Sequence, residues 1–286
     1  MDRRSFLRLA AAGVAAGAGA AALSAGWATL GEPNWPVVER IDVTLPRLPA
    51  ALDGLRVAQL SDLHISQYTT QGNIGRAAAL AMRQEPDVIV LTGDFIWREV
   101  WQYAEHLVEP LRSLAAPLGV YAVLGNHDHW EDAALASRVL AEAGVTLLVN
   151  RALRLDVDEP LWLVGLDDVW ERKHDMRAAL NGAPDKECKL LLVHEPDYAD
   201  EAAGYPVDLQ LSGHSHGGQI NLPYYGRPVL PYLGQKYPAG LYQVSPMSLY
   251  TNRGIGVISP PVRFNCPPEV ALLTLRAAAR QIESAG

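Results

Sequence analysis

The chain has 286 residues, a formal net charge of −8, and apolar residues at 49% of its positions. This content is enough for a large hydrophobic core and excludes a globally disordered protein. The negative charge disfavours a nucleic-acid coat or a polybasic membrane binder, since both need a positive field. The chain has only two cysteines, Cys188 and Cys266, which excludes a disulfide-stapled miniprotein. The sequence leaves open whether they form one disulfide or remain two buried thiols.

The first thirty residues have the composition of an export signal. The pair Arg3-Arg4 before Phe6 and Leu7 resembles a twin-arginine signal, the address of a machinery that exports folded proteins. A run of 22 uncharged residues follows over 9–30, of which eleven are alanine and four are glycine. So weakly apolar a run favours a signal, although its length also suits a plain membrane anchor. No cleavage point stands out.

Apolar runs alternate with helical stretches along the next part of the chain. We predict strands over 56–60, 87–91 and 119–124, and helices over 73–84, 98–114 and 131–143. This alternation is typical of βαβ units. The second half is richer in strands, and we predict one helix there, over 175–181. The predicted strands are 146–149, 151–157, 161–166, 189–193, 208–211, 240–244, 249–251 and 270–275.

These elements predict a signal or anchor over 1–30 and one α/β domain over 31–286. We expect that domain to contain two packed mixed β-sheets flanked by helices, a four-layer α-β-β-α sandwich. A loop over 223–238, rich in proline and tyrosine, shows no periodicity. It could flank the active site and contact an apolar or sugar-bearing substrate, or it could be a structural excursion between strands.

Polar side chains of the kind that bind metals follow five of the predicted strands. They occur in the segments Asp62-Leu63-His64, Gly93-Asp94, Asn126-His127-Asp128-His129, His194 and His214-Ser215-His216. In open α/β sheets, ligands bind outside the carboxyl ends of the strands, so we expect these residues to converge. Six of the eight histidines of the chain lie in these segments, which random placement would not produce. Each segment alone is as easily a turn or a helix cap.

In their order along the chain, the five segments resemble the signature of the calcineurin-like metallophosphoesterases. The twin-arginine start and the segments over 217–219 and 263–269 look like the exported, cell-envelope branch of that superfamily. The resemblance implies two divalent ions, for which carboxylate, amide and imidazole ligands without thiolate favour Mn, Fe or Zn. It assigns Asp62, His64 and His216 to one ion and Asn126, His194 and His214 to the other. Asp94 would bridge the two ions.

The resemblance also implies a mechanism. Two ions would lower the pKa of a shared water, and the resulting hydroxide would attack phosphorus in line with the leaving group. His127 is not a family ligand, and we assign it as the general acid. Asp128 would orient His127 in catalysis, or it would only cap the following helix.

Two further residues are candidates for substrate binding. His129 would contact the substrate, although a surface histidine near a helix start is an equally ordinary role. Arg253 would bind a phosphate oxygen through its planar guanidinium, unless it forms a common ion pair.

The sequence therefore predicts an exported, binuclear metal-dependent phosphoesterase of the periplasm or cell envelope, with phosphodiesters favoured. We expect a small phosphoester or an envelope phospho-component as substrate, the twin-arginine translocation machinery as a partner, no nucleic acid, and membrane association through the N-terminus. The alternatives are a nuclease, which the charge disfavours, and a phospholipid or lipid-headgroup phosphodiesterase. A non-catalytic metal-binding envelope protein ranks last, because a structural site needs no acid histidine.

Overall fold

The protein folds around two six-stranded mixed β-sheets. A computed structural model describes residues 2–98 and 100–278. The strands are β1 (Val37–Leu45), β2 (Arg56–Leu60), β3 (Val88–Thr92), β4 (Val120–Val123), β5 (Thr146–Leu147), β6 (Arg151–Arg154), β7 (Leu161–Gly165), β8 (Cys188–Leu192), β9 (Leu209–Ser212), β10 (Gly240–Val244), β11 (Met247–Thr251) and β12 (Glu269–Ala277). The helices are α1 (Arg3–Gly26), α2 (Gln71–Met82), α3 (Val100–Tyr103), α4 (Val108–Arg112), α5 (Asn126–Glu131), α6 (Ala133–Glu142), α7 (Met176–Ala179) and α8 (Ala199–Ala202).

The two sheets pack face to face across the main core. Their strand orders are β1-β12-β2-β3-β4-β5 and β10-β11-β9-β8-β7-β6. Side chains of both sheets fill the space between them, including Val57, Val90, Leu163, Leu190 and Leu209. Strands β3, β8 and β9 are buried at every position, as strands covered on both faces must be.

Helices cover the outer face of each sheet. Ile74 of α2, Leu111 of α4 and Val139 of α6 pack against the first sheet. Met176 of α7 and Ala199 of α8 pack against the second sheet. The predicted four-layer α-β-β-α sandwich is therefore confirmed.

Two predicted helices are broken in the structure. The segment predicted as a helix over 98–114, in which residue 99 lies outside the described residues, contains α3, a 3-10 turn over Ala104–Leu107, and α4. Pro110 has no N–H to continue a helix from the preceding turn, so the helix restarts with this proline in its first turn. The helix predicted over 131–143 is divided at Asp132, whose extended backbone separates α5 from α6 and whose carboxylate caps Leu135. Strand β1 was not predicted; it pairs in parallel with β12.

The N-terminal segment projects from the domain as one long helix. α1 has no buried residue, and the segment Arg3–Asn34 is long and apolar enough to span a membrane. Contacts with the domain begin just after α1: the Arg263 amide donates to the Ala28 carbonyl at 2.9 Å, and the buried Glu32 carboxylate accepts from the Asn265 amide at 3.0 Å. The predicted boundary at residue 30 therefore falls inside a segment that packs on the domain.

Both cysteines are free thiols in the structure. Cys188 lies in β8 and Cys266 lies in the loop before β12, and both are buried. The alternative of two buried thiols, which the sequence left open beside a disulfide, is the one observed.

Candidate metal centre

The five predicted segments converge on one edge of the sandwich. Strands β2, β3 and β4 are parallel neighbours in the first sheet, and β8 and β9 are parallel neighbours in the second. Their carboxyl ends therefore open on the same edge, as the sequence predicted. Hydrogen bonds join the loops there: the Asp62 amide donates to the Gly93 carbonyl at 2.9 Å, and the Gly213 amide donates to the His194 carbonyl at 3.0 Å.

The backbone at this edge has a left-handed conformation that residues other than glycine rarely adopt. Five of the seven predicted ligands have a positive φ, between 43° and 68°: Asp62, His64, Asp94, His214 and His216. Left-handed backbone at residues other than glycine is uncommon and concentrates at functional sites. The surrounding hydrogen bonds must offset this strain. The strained backbone turns these side chains toward the interior of the site.

A first cluster contains Asp62, His64 and His216. Their ligand atoms lie within 4.8 Å of one another, and all three residues are buried. The two Nε2 atoms of His64 and His216 are 3.0 Å apart, and His216 Nε2 is 3.4 Å from Asp62 Oδ1. Two imidazole nitrogens facing each other beside a carboxylate form a donor set that suits a divalent transition metal.

A second cluster contains Asp94, His194 and His214, again with all ligand atoms within 4.8 Å and all three residues buried. Asp94 Oδ2 is 3.0 Å from His194 Nε2 and 3.4 Å from His64 Nε2. One carboxylate oxygen thus faces both clusters, which is the arrangement expected of a bridging ligand. The fold and these two clusters support a dinuclear site for divalent metals.

Asn126 lies beside this second cluster, at the start of α5. It is buried, and its Oδ1 atom has no hydrogen-bond partner among the described residues. A buried polar atom without a partner is costly in a folded protein. A cation would satisfy it, so the residue fits its predicted role as a ligand.

The histidines are also oriented for metal binding. His194 Nδ1 is 2.6 Å from the Thr92 carbonyl, and His214 Nε2 is 2.7 Å from the Tyr232 carbonyl. Each contact engages that ring nitrogen with the backbone, so the other nitrogen of the ring is the one left to bind a metal ion. His194 Nε2 has no hydrogen-bond partner in the described chain. These orphaned atoms and the donor set show that the residues present fit two divalent ions.

Burial controls the charges in the site. It lowers the pKa of His214 to about 3 and holds the pKa values of His64 and His216 well below their usual range, so these rings are neutral ligands. Burial also raises the pKa of Asp62, to about 6. Asp94 differs, because the nearby His194 and His127 outweigh its burial and hold its pKa well below the usual range.

His127 lies at the rim of this edge. Its ring is in edge-to-face contact with His64 at 4.9 Å between centroids and with Trp130 at 4.8 Å. Its backbone amide donates to Asp94 Oδ1 at 2.9 Å, which fixes the residue beside the predicted bridge. Burial lowers the pKa of His127. Its side chain is therefore near the metal ligands without belonging to either cluster.

Asp128 does not cap the following helix, the alternative that the sequence left open, because it lies inside α5 and Asp132 caps α6. The Asp128 carboxylate accepts four backbone hydrogen bonds, from Asp94 at 2.9 Å, Phe95 at 2.8 Å, Ile96 at 3.2 Å and Gly125 at 3.0 Å. The described structure gives no hydrogen bond between Asp128 and the His127 ring. The carboxylate instead joins the loop after β3 to the start of α5, so Asp128 is a positioning residue for Asp94.

The two candidates for substrate binding are engaged elsewhere. His129 Nε2 is 2.8 Å from Asp167 Oδ1, so its ring ties α5 to the loop after β7. The Arg253 guanidinium pairs with Glu269 and with Glu39, at 2.5 Å each. The Nε and Nη2 atoms of Arg253 are therefore engaged in ion pairs, and the binding of phosphate by this residue stays a prediction. The ion pair that the sequence offered as an alternative is observed.

The structure adds residues that the sequence analysis missed. Glu195, directly after the ligand His194, is fully buried and accepts from the Trp170 amide at 2.9 Å. Its neighbour Asp168 is also buried; burial raises the pKa of both carboxyl groups, and the nearby Asp168 raises that of Glu195 further. A sequence signal for Asp168 was available, because Asp167-Asp168 comes just after strand β7, as Asp62 and Asp94 come just after strands β2 and β3.

The Glu195 carboxylate fixes the backbone of Trp170, which belongs to a row of aromatic rings. Trp170 lies 5.5 Å from His214, 5.4 Å from Tyr232 and 5.2 Å from Trp130, between centroids. Trp130 also touches His127, so the row runs along the rim from the predicted acid to a predicted ligand.

Comparisons with known proteins agree with this geometry. Residues 55–218 match the model of the calcineurin-like phosphoesterases, and this range contains all seven predicted ligands. The chain is 36% identical to the uncharacterized metallophosphoesterase YkuE of Bacillus subtilis, over 97% of this chain and 98% of that protein. It is 32% identical to the phosphodiesterase YaeI of Escherichia coli, over 96% and 99% of the two chains.

A third relative is the UDP-2,3-diacylglucosamine pyrophosphatase LpxG of Chlamydia trachomatis, with 31% identity over 86% of this chain and 91% of that one. The match to the family model covers more than half of the chain, and these relatives align over most of their length. The chain therefore belongs to the calcineurin-like phosphoesterase family of metal-dependent phosphoester hydrolases.

Proposed function

We propose that this protein is an exported, binuclear metal-dependent phosphoesterase that favours phosphodiesters. The observation that carries the proposal is the position of Asp94, whose Oδ2 atom faces both ligand clusters. Asp62, His64 and His216 would hold one ion, and Asn126, His194 and His214 would hold the other, with Asp94 between them. The ligand set favours Mn, Fe or Zn.

When bound, two such ions would lower the pKa of a coordinated water and offset negative charge on the phosphoryl group. The protein would contribute the remaining steps. His127, fixed through its amide on Asp94, is the only predicted site histidine left for proton transfer to the leaving oxygen. Burial lowers the pKa of its free ring, and a bound phosphate would favour the protonated form by its negative charge.

Two features support a preference for small phosphodiesters over monoesters and over nucleic acids. One relative that aligns over most of the chain is named a phosphodiesterase and another a pyrophosphatase, and neither name denotes a monoesterase. The net charge of −8 disfavours a polyanion.

Export rests on the N-terminal segment. Arg3-Arg4 begins a helix that is exposed along its length and apolar enough to span a membrane. We infer that the twin-arginine translocation machinery carries the folded chain to the periplasm or cell envelope, where α1 is a signal or anchor. The substrate would then be a small phosphoester or a phospho-component of the envelope.

The proposal is tested with the full-length chain, stripped of metal with a chelator and refilled with Mn, Zn or Fe. We expect metal-dependent hydrolysis of bis(4-nitrophenyl) phosphate, faster than that of 4-nitrophenyl phosphate. Asp94→Asn should abolish it, while Asp42→Asn, on an exposed carboxylate of β1, serves as the matched control. Activity that resists chelation, or that survives in Asp94→Asn, would refute the proposal.

The role of His127 has its own test, because a general acid matters most for a poor leaving group. His127→Ala should lower kcat by about 10²–10⁴-fold for an alkyl leaving group and much less for 4-nitrophenolate. An equal loss with both leaving groups would assign His127 to binding or structure instead.

A further inference from the structure

A cavity of about 240 Å³ lies beside the candidate metal centre. It shares His214 and His216 with the two ligand clusters, and Ile220, Val229 and Ile258 contribute to its wall. None of its described lining residues is Asp, Glu, Lys or Arg. The volume exceeds the roughly 150 Å³ of an apolar cavity that binds benzene. An apolar group of substantial size therefore fits next to the reacting centre.

Two polar side chains of the wall, Ser215 and Gln219, are already hydrogen-bonded within the protein, whereas Ser259 and the His216 ring keep polar atoms without a partner among the described residues. The Ser215 hydroxyl donates to the Pro238 carbonyl at 2.5 Å. The Gln219 amide donates to the Pro260 carbonyl at 3.1 Å and accepts from the Ile258 amide at 2.7 Å. A sugar or a base would have to break these bonds to be recognised by Ser215 or Gln219. An aliphatic chain would leave them intact.

The N-terminal helix is fastened close to this wall. The Arg263 amide, three residues beyond the lining residue Pro260, donates to the Ala28 carbonyl just after α1. Glu32 accepts from the amide of Asn265 in the same loop. The segment after the exposed apolar helix is thus fastened to the loop that follows the lining residue Pro260.

The loop on the other side of the cavity exposes apolar and aromatic side chains. The exposed fraction is 105% for Tyr224, 87% for Tyr225 and 73% for Val229. Tyrosine is enriched where membrane proteins cross the interface between lipid and water. This loop therefore has the composition of a surface that rests on lipid headgroups.

We propose that the cavity binds the aliphatic chain of a lipid phosphoester, whose phosphate lies at the metal centre. The proposal rests on the phosphoesterase function and names its substrate class. It makes the part of the Tyr-rich loop that lines the cavity, residues 228–231, a substrate-binding element, the first of the two roles that the sequence offered for the loop. Chain burial should raise kcat/KM by up to about fourfold for each methylene that enters the cavity, the factor that corresponds to about 0.8 kcal/mol.

The test uses the full-length, metal-loaded chain at a fixed detergent concentration. The substrates are 4-nitrophenyl phosphodiesters that carry a methyl, hexyl or dodecyl group as the second substituent. Two variants are compared with the native chain: Val229→Glu, which places a charge in the cavity wall, and Tyr224→Glu, which adds the same charge on the same loop outside the wall.

We expect kcat/KM to rise at least tenfold from the methyl to the hexyl ester in the native chain and in Tyr224→Glu. The ratio should fall toward one in Val229→Glu. A flat series in the native chain, with the methyl ester hydrolysed, would overturn the chain site and leave the phosphoesterase function standing. An equal loss in both variants would mean adsorption to micelles and would also overturn it. Failure to hydrolyse any ester would refute the phosphoesterase function itself.

Discussion

Gly125 allows two predicted metal ligands, Asp94 and His194, to approach each other, and its replacement by alanine should disable the site. Its backbone has φ −117° and ψ 177°, which alanine adopts without strain, so any effect must come from the added methyl group. A Cβ there would lie 2.8 Å from the Asp94 amide nitrogen and 2.8 Å from His194 Cδ2, and closer still to Asp94 Oδ1. Ordinary contacts are about 3.5–4.0 Å, so these atoms must move by roughly 0.7–1.2 Å.

A displacement of about 1 Å at an active site can cost about 10²-fold in rate. We therefore expect Gly125→Ala to lower kcat/KM for bis(4-nitrophenyl) phosphate by about 100-fold and to weaken binding of one metal ion. Overpacking should also lower the free energy of unfolding by about 1–3 kcal/mol. Metal content after dialysis and denaturant unfolding measure these two effects.

The matched control is Gly75→Ala, on α2. A Cβ there would meet nothing within 4 Å, so the variant should keep its activity and gain up to about 1 kcal/mol of stability from better helix propensity. Native activity and two bound ions in Gly125→Ala would refute the reasoning, since the crowding of Asp94 and His194 would then have no consequence.

Three further predictions concern residues outside the ligand set. Asp128→Asn should lower the free energy of unfolding by about 1–3 kcal/mol in a urea titration, because one amide oxygen cannot accept all the backbone hydrogen bonds that the two carboxyl oxygens accept; an unchanged midpoint would contradict the positioning role. Arg253→Met should lower it by about 3 kcal/mol, because Glu269 stays buried without its partner, and leave KM within twofold; a large rise in KM would support the phosphate-binding role. Glu32→Gln should lower Tm by about 3–10 °C in a thermal scan, and an unchanged Tm would show that Glu32 does not secure the segment after α1.

The sequence predicted most of the core strands and the convergence of the site because both depend on short local signals. Buried parallel strands are continuous apolar runs, and polar residues such as Asp62, Asp94 and His194 directly follow them. The order of elements then requires these residues to meet at one edge. Strand β1 escaped prediction because its charged residues Glu39 and Asp42 interrupt the apolar pattern, and its pairing partner β12 lies at the far end of the described chain.

The roles of individual polar residues could not be predicted, because they depend on distant partners. Arg253 is paired with Glu39, 214 positions away, and His129 with Asp167, 38 positions away. Asp128 is engaged by amides of the loop after β3, about 33 positions before it. No local pattern distinguishes such a carboxylate from one that faces a neighbouring histidine. Only the packing of the two sheets decides it.

The central claim is that two metal ions, held by the two clusters that share Asp94, are required for hydrolysis. The most direct measurement is a metal titration of the stripped, full-length chain, with bound metal and phosphodiesterase activity followed in the same samples. We predict that activity appears with the second equivalent and saturates at two ions per chain, and that Asp94→Asn stays inactive at any metal concentration. Full activity with one ion or with none would contradict the account.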